Sequence, residues 1–350
     1  MALFSLENIS IKGISASIPK YREDNNDSEL IPERQREAFI ETTGIRYRHI
    51  APAGITAADL CYSAAVCLLQ KTGWKPDEID ILIFVTQTPD YTIPNSASII
   101  QHRLGLSKKC IAFDINLGCS GYVYGLSVIG SLLQNIPGGK GLLLVGDCSS
   151  SVISKNDKST YPLFSDAGSA TTVENTIGQR WCFHLQTDGR GYEDIIVKGG
   201  GMRNPFSAAS LIEREYSSGE KRNDLQMKLD GVNIFNFALR EVAPNIEQLL
   251  LKFDVQKSDV DYYVFHQANK LIIECVRKKL KESTEKVPYS LHHFGNTSSA
   301  SIPVTIVSAL REALATKKSN LMLSGFGVGL SWGSVYIPFD SVVIPALIEI

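Results

Sequence analysis

Short runs of consecutive apolar, often β-branched residues alternate along this chain with stretches where apolar residues recur every three or four positions. The first kind predicts buried strands and the second amphipathic helices. Ile9, Ile11, Ile14 and Ile18 alternate with small or polar residues and predict a strand over 8–19, ending at Pro19. Residues 20–37 are charged and irregular, overlapping a helix predicted over 34–42, and Thr43-Gly-Ile-Arg46 reads as a turn. Ala57 to Leu69 has the spacing of an amphipathic helix. Ile79 to Val85 predicts a buried strand of the parallel-sheet kind. A loop over 86–94 leads into a helix over 95–104. Ile111 to Asn116 predicts a short buried strand, Leu117 to Gly121 a turn of small residues, and Tyr122, Leu126, Ile129 and Leu133 the buried face of a helix. Gly141 to Gly146 is a further buried strand, and Phe164 to Gly168 turns into a strand over 170–173.

The second half repeats this pattern. Glu78-Ile-Asp-Ile-Leu-Ile-Phe84 aligns without a gap to Asp259-Val-Asp-Tyr-Tyr-Val-Phe265, and Leu142 to Gly146 resembles Leu321 to Gly325. The equal order of the two matches points to an internal duplication. Strands alternating with helices predict an α/β protein with a mostly parallel sheet. Two such halves, 1–176 and 177–350, would share helices between their sheets in a five-layered α/β/α/β/α body. Residues 199–226 read as a long surface excursion before a helix near 232–252.

Composition narrows the classes. With 350 residues, 44% hydrophobic and 21% charged, the chain is long enough for one large core or two domains. A net charge of -2 gives no basic field for nucleic acid. No apolar run reaches the length of a membrane span, and the N-terminus lacks the pattern of a signal peptide. Seven cysteines, an odd number without a C-x-x-C pair, argue against a disulfide framework or a zinc site and suggest a reducing cytoplasm. His292 and His293 would point to opposite sides of an extended stretch and make a poor metal clip.

The candidate chemistry starts at Cys119, which sits between a strand and a helix with Gly118 and Gly121 beside it. Unpaired N–H groups and the partial positive charge of a helix N-terminus favour thiolate over thiol and lower a cysteine pKa. A small packed core residue is the plain alternative. In the second half, His266 stands at the end of a predicted strand, where catalytic groups of open α/β sheets gather. Asn296 lies on a glycine turn before a helix and, taken alone, reads equally as a cap or turn residue. Gly325 to Gly333 carries glycines at alternate positions, which fits a bulged strand or backbone N–H groups aimed at a reacting oxygen.

Taken in order, these motifs resemble one family over nearly the whole chain: β-ketoacyl-acyl-carrier-protein synthase III, of the thiolase superfamily. The resemblance runs through Thr43-Gly-Ile-Arg46, Gly118-Cys-Ser-Gly121, Phe164-Ser-Asp-Ala-Gly168, His266-Gln-Ala-Asn269, Gly295-Asn-Thr-Ser298 and Phe326-Gly-Val-Gly-Leu-Ser-Trp-Gly333. It implies a thiolase-like fold and an acyltransferase in which Cys119 takes an acyl group from a thioester. The backbone N–H groups of Cys119 and Val328 would hold the oxyanion. His266 and Asn296 would hold the enolate left when a malonyl thioester loses carbon dioxide. No cofactor or metal is implied, only acyl and malonyl thioesters of coenzyme A or acyl carrier protein. By the same resemblance Ile93, supplied by the partner of a homodimer, and Phe326 belong to the acyl pocket. A helix over 268–280 buries Ala268, Leu271, Ile272, Cys275 and Leu280, with Arg277, Lys278 and Lys279 facing the acidic acyl carrier protein.

The chain also departs from the family. Val328 replaces a glycine, while Thr42 and Leu271 replace arginines and Ala38 a tryptophan that meet coenzyme A. These changes point to a carrier-bound donor or a different primer, in fatty-acid initiation or a specialised acyl pathway. A degradative thiolase would need a second cysteine within 325–333, and a hydroxymethylglutaryl-type synthase a glutamate near Gln87; neither is present. A non-decarboxylating acyltransferase and a non-catalytic partner subunit of a heterodimer remain as other readings.

Overall fold

The computed structural model describes residues 2–216 and 219–350. In chain order the strands are β1 Ala2–Ile18, β2 Arg22–Asp24, β3 Tyr47–His49, β4 Ile81–Val85, β5 Ile111–Ile115, β6 Lys140–Asp147, β7 Ala167–Thr187 and β8 Ile195–Val197. They continue as β9 Arg214–Glu215, β10 Lys221–Arg222, β11 Met227–Leu229, β12 Tyr262–Phe265, β13 Ser319–Gly327, β14 Ser331–Phe339 and β15 Ile348–Glu349. The helices are α1 Glu33–Thr43, α2 Ala57–Thr72, α3 Ser96–Arg103, α4 Gly121–Leu133, α5 Gly231–Phe253, α6 Lys270–Leu280, α7 Leu291–Phe294, α8 Ser301–Thr305 and α9 Arg311–Thr316. A π-helical turn over Ile306–Leu310 joins the last two.

Period-two burial builds the layers. Ile81, Ile83 and Val85 of β4 face inward and pack, with Leu143 and Val145, on α4 and on the helix that begins at α8. Leu82 and Phe84 face the other way, onto α2 and α3. The inner helices meet a second set of strands through Leu321, Leu323, Val335 and Ile337. The outer face of that set, with Tyr263, Phe265 and Met322, is covered by α5 and α6. Helix, sheet, helix, sheet and helix therefore succeed one another, the five layers expected from the sequence.

Pairing follows the order β12-β13-β14-β7-β6-β4-β5, with β1 alongside β7. The long strands β1 and β7 belong to both sheets: Ile9–Ser17 pairs with 168–175, and Ala2–Glu7 with 180–185. The predicted mostly parallel sheet is instead mixed. Parallel pairs β4–β5, β4–β6 and β12–β13 meet antiparallel pairs β6–β7, β7–β14 and β13–β14. The stretch Gly325–Gly333 explains part of this. It is the turn of a hairpin between β13 and β14 rather than one bulged strand, and a short turn can join only antiparallel neighbours.

The two matched segments share a local feature. A 3-10 turn over Pro76–Glu78 leads into β4, and another over Lys257–Asp259 leads into β12. The strand over 111–115 corrects an expectation, since it is an edge strand with Ile111 48% exposed rather than a buried one. His292 and His293 also differ from the extended reading, because they lie on α7 with their rings 4.9 Å apart.

Candidate active site

Cys119, His266 and Asn296 come from three distant stretches and line one cavity of about 150 Å³. Cys119 lies just before α4, after β5 has delivered the chain to the end of the sheet. Gly327 lets the β13–β14 turn close on it: a Cβ there would sit 2.8 Å from the Cys119 sulfur. The Val328 N–H donates to that sulfur, so the two backbone donors expected for an oxyanion lie at the same atom.

The thiol does not behave as the helix N-terminus alone predicts. Burial pushes Cys119 up to about 11, and the Asp147 charge adds to the effect. Hydrogen bonds from the Val328 N–H, its own N–H and the Ser298 hydroxyl work against the rise without cancelling it. Desolvation is the larger effect because Cys119 is only 8% exposed.

His266 follows β12, and its backbone N–H donates to Ser324 on β13 at 2.8 Å. Its Nδ1 lies 2.7 Å from the Ser301 hydroxyl. That oxygen also accepts the Gln267 N–H at 3.3 Å, and a hydrogen bond between the ring and the Ser298 backbone acts against the effect of burial. Burial pushes His266 down to about 3, so the ring is neutral. Asn296 is fixed similarly. Its Oδ1 accepts the Ser298 N–H at 2.9 Å, which leaves the Nδ2 amino group as the donor toward the cavity. Backbone hydrogen bonds of 2.9 Å to Leu163 and Ser165 tie Asn296 to the first half of the chain.

A second cavity, of about 390 Å³, is lined by Gln87, Thr88, Asn116, Asp147, Ser149, Ser298 and Val328 among others, and Ser298 and Val328 both hydrogen-bond the Cys119 sulfur. A Cβ on Gly118 would meet the Gln87 Oε1 at 2.3 Å and Val328 at 2.9 Å, so both residues lie against the segment entering Cys119. Phe326, expected in an acyl pocket, lines the first cavity, where its ring meets His266 edge-on at 5.6 Å. Ile93 is 84% exposed and lines neither of these two cavities.

Asp147 and Ser301 escaped the sequence reading. Asp147, at the end of β6, is 1% exposed. It accepts the Gln87 N–H at 2.7 Å, the Thr86 hydroxyl at 3.2 Å and the Ser299 hydroxyl at 2.5 Å. It thereby clips the end of β4 to the turn that carries Asn296. Its place directly after the apolar run Leu142–Gly146 is a signal of the kind that singled out His266; Ser301 offered none, being one serine among several.

The basic helix end is more engaged than the sequence suggests. Arg277 is bidentate to Glu274, at 3.0 and 2.6 Å, and also donates to the Glu282 carbonyl at 2.6 Å. Lys279 donates to the Leu239 carbonyl at 2.8 Å, while Lys278 is exposed. Leu271 is 47% exposed, and Ala268 and Cys275 are only half-buried, against the expectation that all three are buried. The face of α6 that packs on α5 is Ile272, Ile273, Val276 and Leu280, apolar residues at helical spacing, and Leu271 falls outside it. Among the described residues no group of three or more His, Cys, Asp or Glu side chains is placed to hold a metal ion, and no helix is long and apolar enough to cross a membrane.

Comparison with known proteins places the whole chain in one family. The family model for 3-oxoacyl-[acyl-carrier-protein (ACP)] synthase III matches residues 113–189, and the model of its C-terminal part matches 250–339. A β-ketoacyl-[acyl-carrier-protein] synthase III of Streptococcus agalactiae is 33% identical over 89% of this chain and 94% of its own. One from Koribacter versatilis is 30% identical over 95% and 98%. The crystal structure of a 3-oxoacyl-(acyl-carrier protein) synthase from Burkholderia xenovorans superposes with a TM-score of 0.93 at 35% identity, covering 99% of each chain. The chain belongs to the β-ketoacyl-acyl-carrier-protein synthase III family, acyl-transferring synthases of the thiolase fold.

Proposed function

We propose that this chain makes a β-ketoacyl thioester by decarboxylative Claisen condensation with Cys119 as its nucleophile. The observation that supports the reading is the single cavity presenting the Cys119 thiol, the His266 ring and the Asn296 amide. The Cys119 sulfur attacks the carbonyl carbon of an acyl thioester, and the N–H groups of Cys119 and Val328 hold the oxygen that gains charge. The carbon–sulfur bond of the donor breaks. The departing thiolate takes the proton that Cys119 gave up, and the acyl group stays on the enzyme. A malonyl thioester then loses carbon dioxide, and the electron pair of the broken bond passes into an enolate. Its oxygen accepts hydrogen bonds from His266 Nε2 and Asn296 Nδ2. Both donors are neutral, so they stabilise the enolate without quenching it. The enolate carbon attacks the acyl-Cys119 carbonyl, the Cys119 thiolate leaves, and the β-ketoacyl thioester departs.

The remaining assignments go with this reading. Residues 1–176 and 177–350 form the two thiolase-like halves, which supply the cysteine and the His–Asn pair respectively. The substrates are thioesters, and the reaction needs no cofactor. Acyl carrier protein docks on the exposed Lys278, with Lys279 beside it and Arg277 bracing the helix end. A carrier-bound donor is favoured because Ala38, Thr42 and Leu271 offer neither the aromatic ring nor the cations that coenzyme A would meet. A second copy of the chain pairs along the free edge of β5 and receives Ile93 in its acyl cavity. The exposure of Ile111 and Ile93 supports that arrangement. A cytoplasmic location suits the seven free thiols and the carrier-protein substrate.

Two assays separate the steps. Cys119→Ala should form no acyl adduct. His266→Ala and Asn296→Ala should acylate normally and lose condensation by about a hundredfold or more each, the cost typical of a lost transition-state donor. Normal product yield from either variant would remove its assigned role, and an acyl adduct on Cys119→Ala would remove the nucleophile.

A further inference from the structure

We propose that the primer is a short hydroxyacyl group, held in the second cavity by Gln87, Asn116 and Ser149. The inference rests on Cys119 as the acyl acceptor and names what that residue accepts.

An acyl-Cys119 has two directions open to it. The thioester arm must use the cavity that holds His266 and Asn296, because those groups act on the incoming thioester. That cavity is walled by Leu163, Ile234 and Ile272, and reaches Asn269 at the start of α6. The acyl chain is left the other direction, past Gly118 and Val328 into the cavity of about 390 Å³.

An alkyl chain would be poorly served there. The side-chain amides of Gln87 and Asn116 and the Ser149 hydroxyl make no hydrogen bond among the described residues, although all three line the space. Ser149 is 3% exposed, while Gln87 and Asn116 are exposed in the single chain. The other polar groups of the wall are occupied. Thr88 accepts the Cys148 N–H at 2.9 Å, and Asp147 is held by donors from Thr86, Gln87 and Ser299. The free hydrogen-bonding capacity therefore belongs to two amides and one hydroxyl, which can both donate and accept. A saturated chain would strip water from them and give nothing back. A hydroxyl on the chain replaces that water, while Val152, Met227 and Val328 cover the carbon skeleton.

The test is a matched pair of donors, butyryl and 3-hydroxybutyryl, each loaded on acyl carrier protein and on coenzyme A, with the Cys119 adduct followed by intact-protein mass. The hydroxyacyl adduct should form up to about tenfold faster, as expected of one net hydrogen bond gained. Gln87→Leu and Ser149→Ala should each reduce or reverse that preference while still forming the butyryl adduct. Faster or equal transfer of butyryl by the unaltered protein, or an unchanged preference in both variants, would overturn the hydroxyacyl assignment and leave the nucleophile standing. No Cys119 adduct from any of the four donors would overturn both.

Discussion

The two cavities beside Cys119 contrast in chemistry. The one with His266 and Asn296 is a narrow slot with aliphatic walls and two fixed neutral donors. The other is larger and carries three polar side chains with no partner among the described residues. The first has to fit a thioester arm that every substrate shares, so its walls need only be apolar and well placed. The second has to tell one acyl group from another, and unpaired polar groups discriminate far better than added hydrocarbon does. We propose that the reaction is carried by the first side and the choice of primer by the second.

The comparison breaks if changes on one side of the thiol are felt on the other. The largest expected effect comes from Gly327→Ala. The added methyl would sit 2.8 Å from the Cys119 sulfur, so acylation by every donor should fall about a hundredfold, as for a displaced reacting atom. Stopped-flow or quench measurements of adduct formation check this, and a rate near that of the unaltered protein would contradict it. The pH profile comes next. With the thiol pushed up to about 11, acylation should rise by about tenfold per pH unit across the neutral range, because only the thiolate attacks. Condensation by preformed acyl-enzyme should instead stay flat between about pH 5 and 8, because His266, pushed down to about 3, keeps one charge state throughout. Single-turnover rates at each pH separate the two. A condensation step that titrates near the ordinary histidine value would show that the ring is not held neutral.

Smaller changes sharpen the contrast. Ser301→Ala removes the hydroxyl 2.7 Å from His266 Nδ1 and frees the ring to exchange tautomers. Condensation should fall about tenfold, with acylation unchanged and the pH profile still flat, because burial holds the ring neutral with or without Ser301; Ser301→Thr should restore the rate. An equal loss in both steps would mean that Ser301 merely supports the fold. Ile234→Asn, in the wall of the slot, should raise the KM for carrier-bound substrates by a few-fold and leave the preference between primers untouched. A shift in primer preference would show that the acyl chain lies in the slot.

Much of this was legible in the sequence. Cys119 and His266 each follow a strand-like run, whereas Asn296, read as following a strand as well, comes after the helix α7 instead. The alternation of buried runs and amphipathic stretches also foretold the layers. The mixed sheet was not legible, because a strand of 21 residues such as β7 reads as several short pieces when its middle faces solvent. The edge position of β5 was hidden because an apolar run looks the same beside one neighbour as beside two. The raised Cys119 thiol depends on burial by the β13–β14 turn, more than 200 residues away in the chain. Arg277 pairs with Glu274 three residues before it on the same helix, a spacing the sequence offered, whereas the contacts of Arg277 with Glu282 and of Glu274 with Tyr289 need the following chain folded back.

The central claim is that Cys119 carries an acyl group which a malonyl thioester then removes. Intact-protein mass measured after an acyl donor, and again after a malonyl-carrier-protein chase, tests it directly. The account predicts an adduct on Cys119 that disappears in the chase, with carbon dioxide and a β-ketoacyl thioester released in equal amounts. An adduct that persists through the chase, or leaves without a β-ketoacyl product, would contradict it and point to acyl transfer onto a hydroxyl or amine instead.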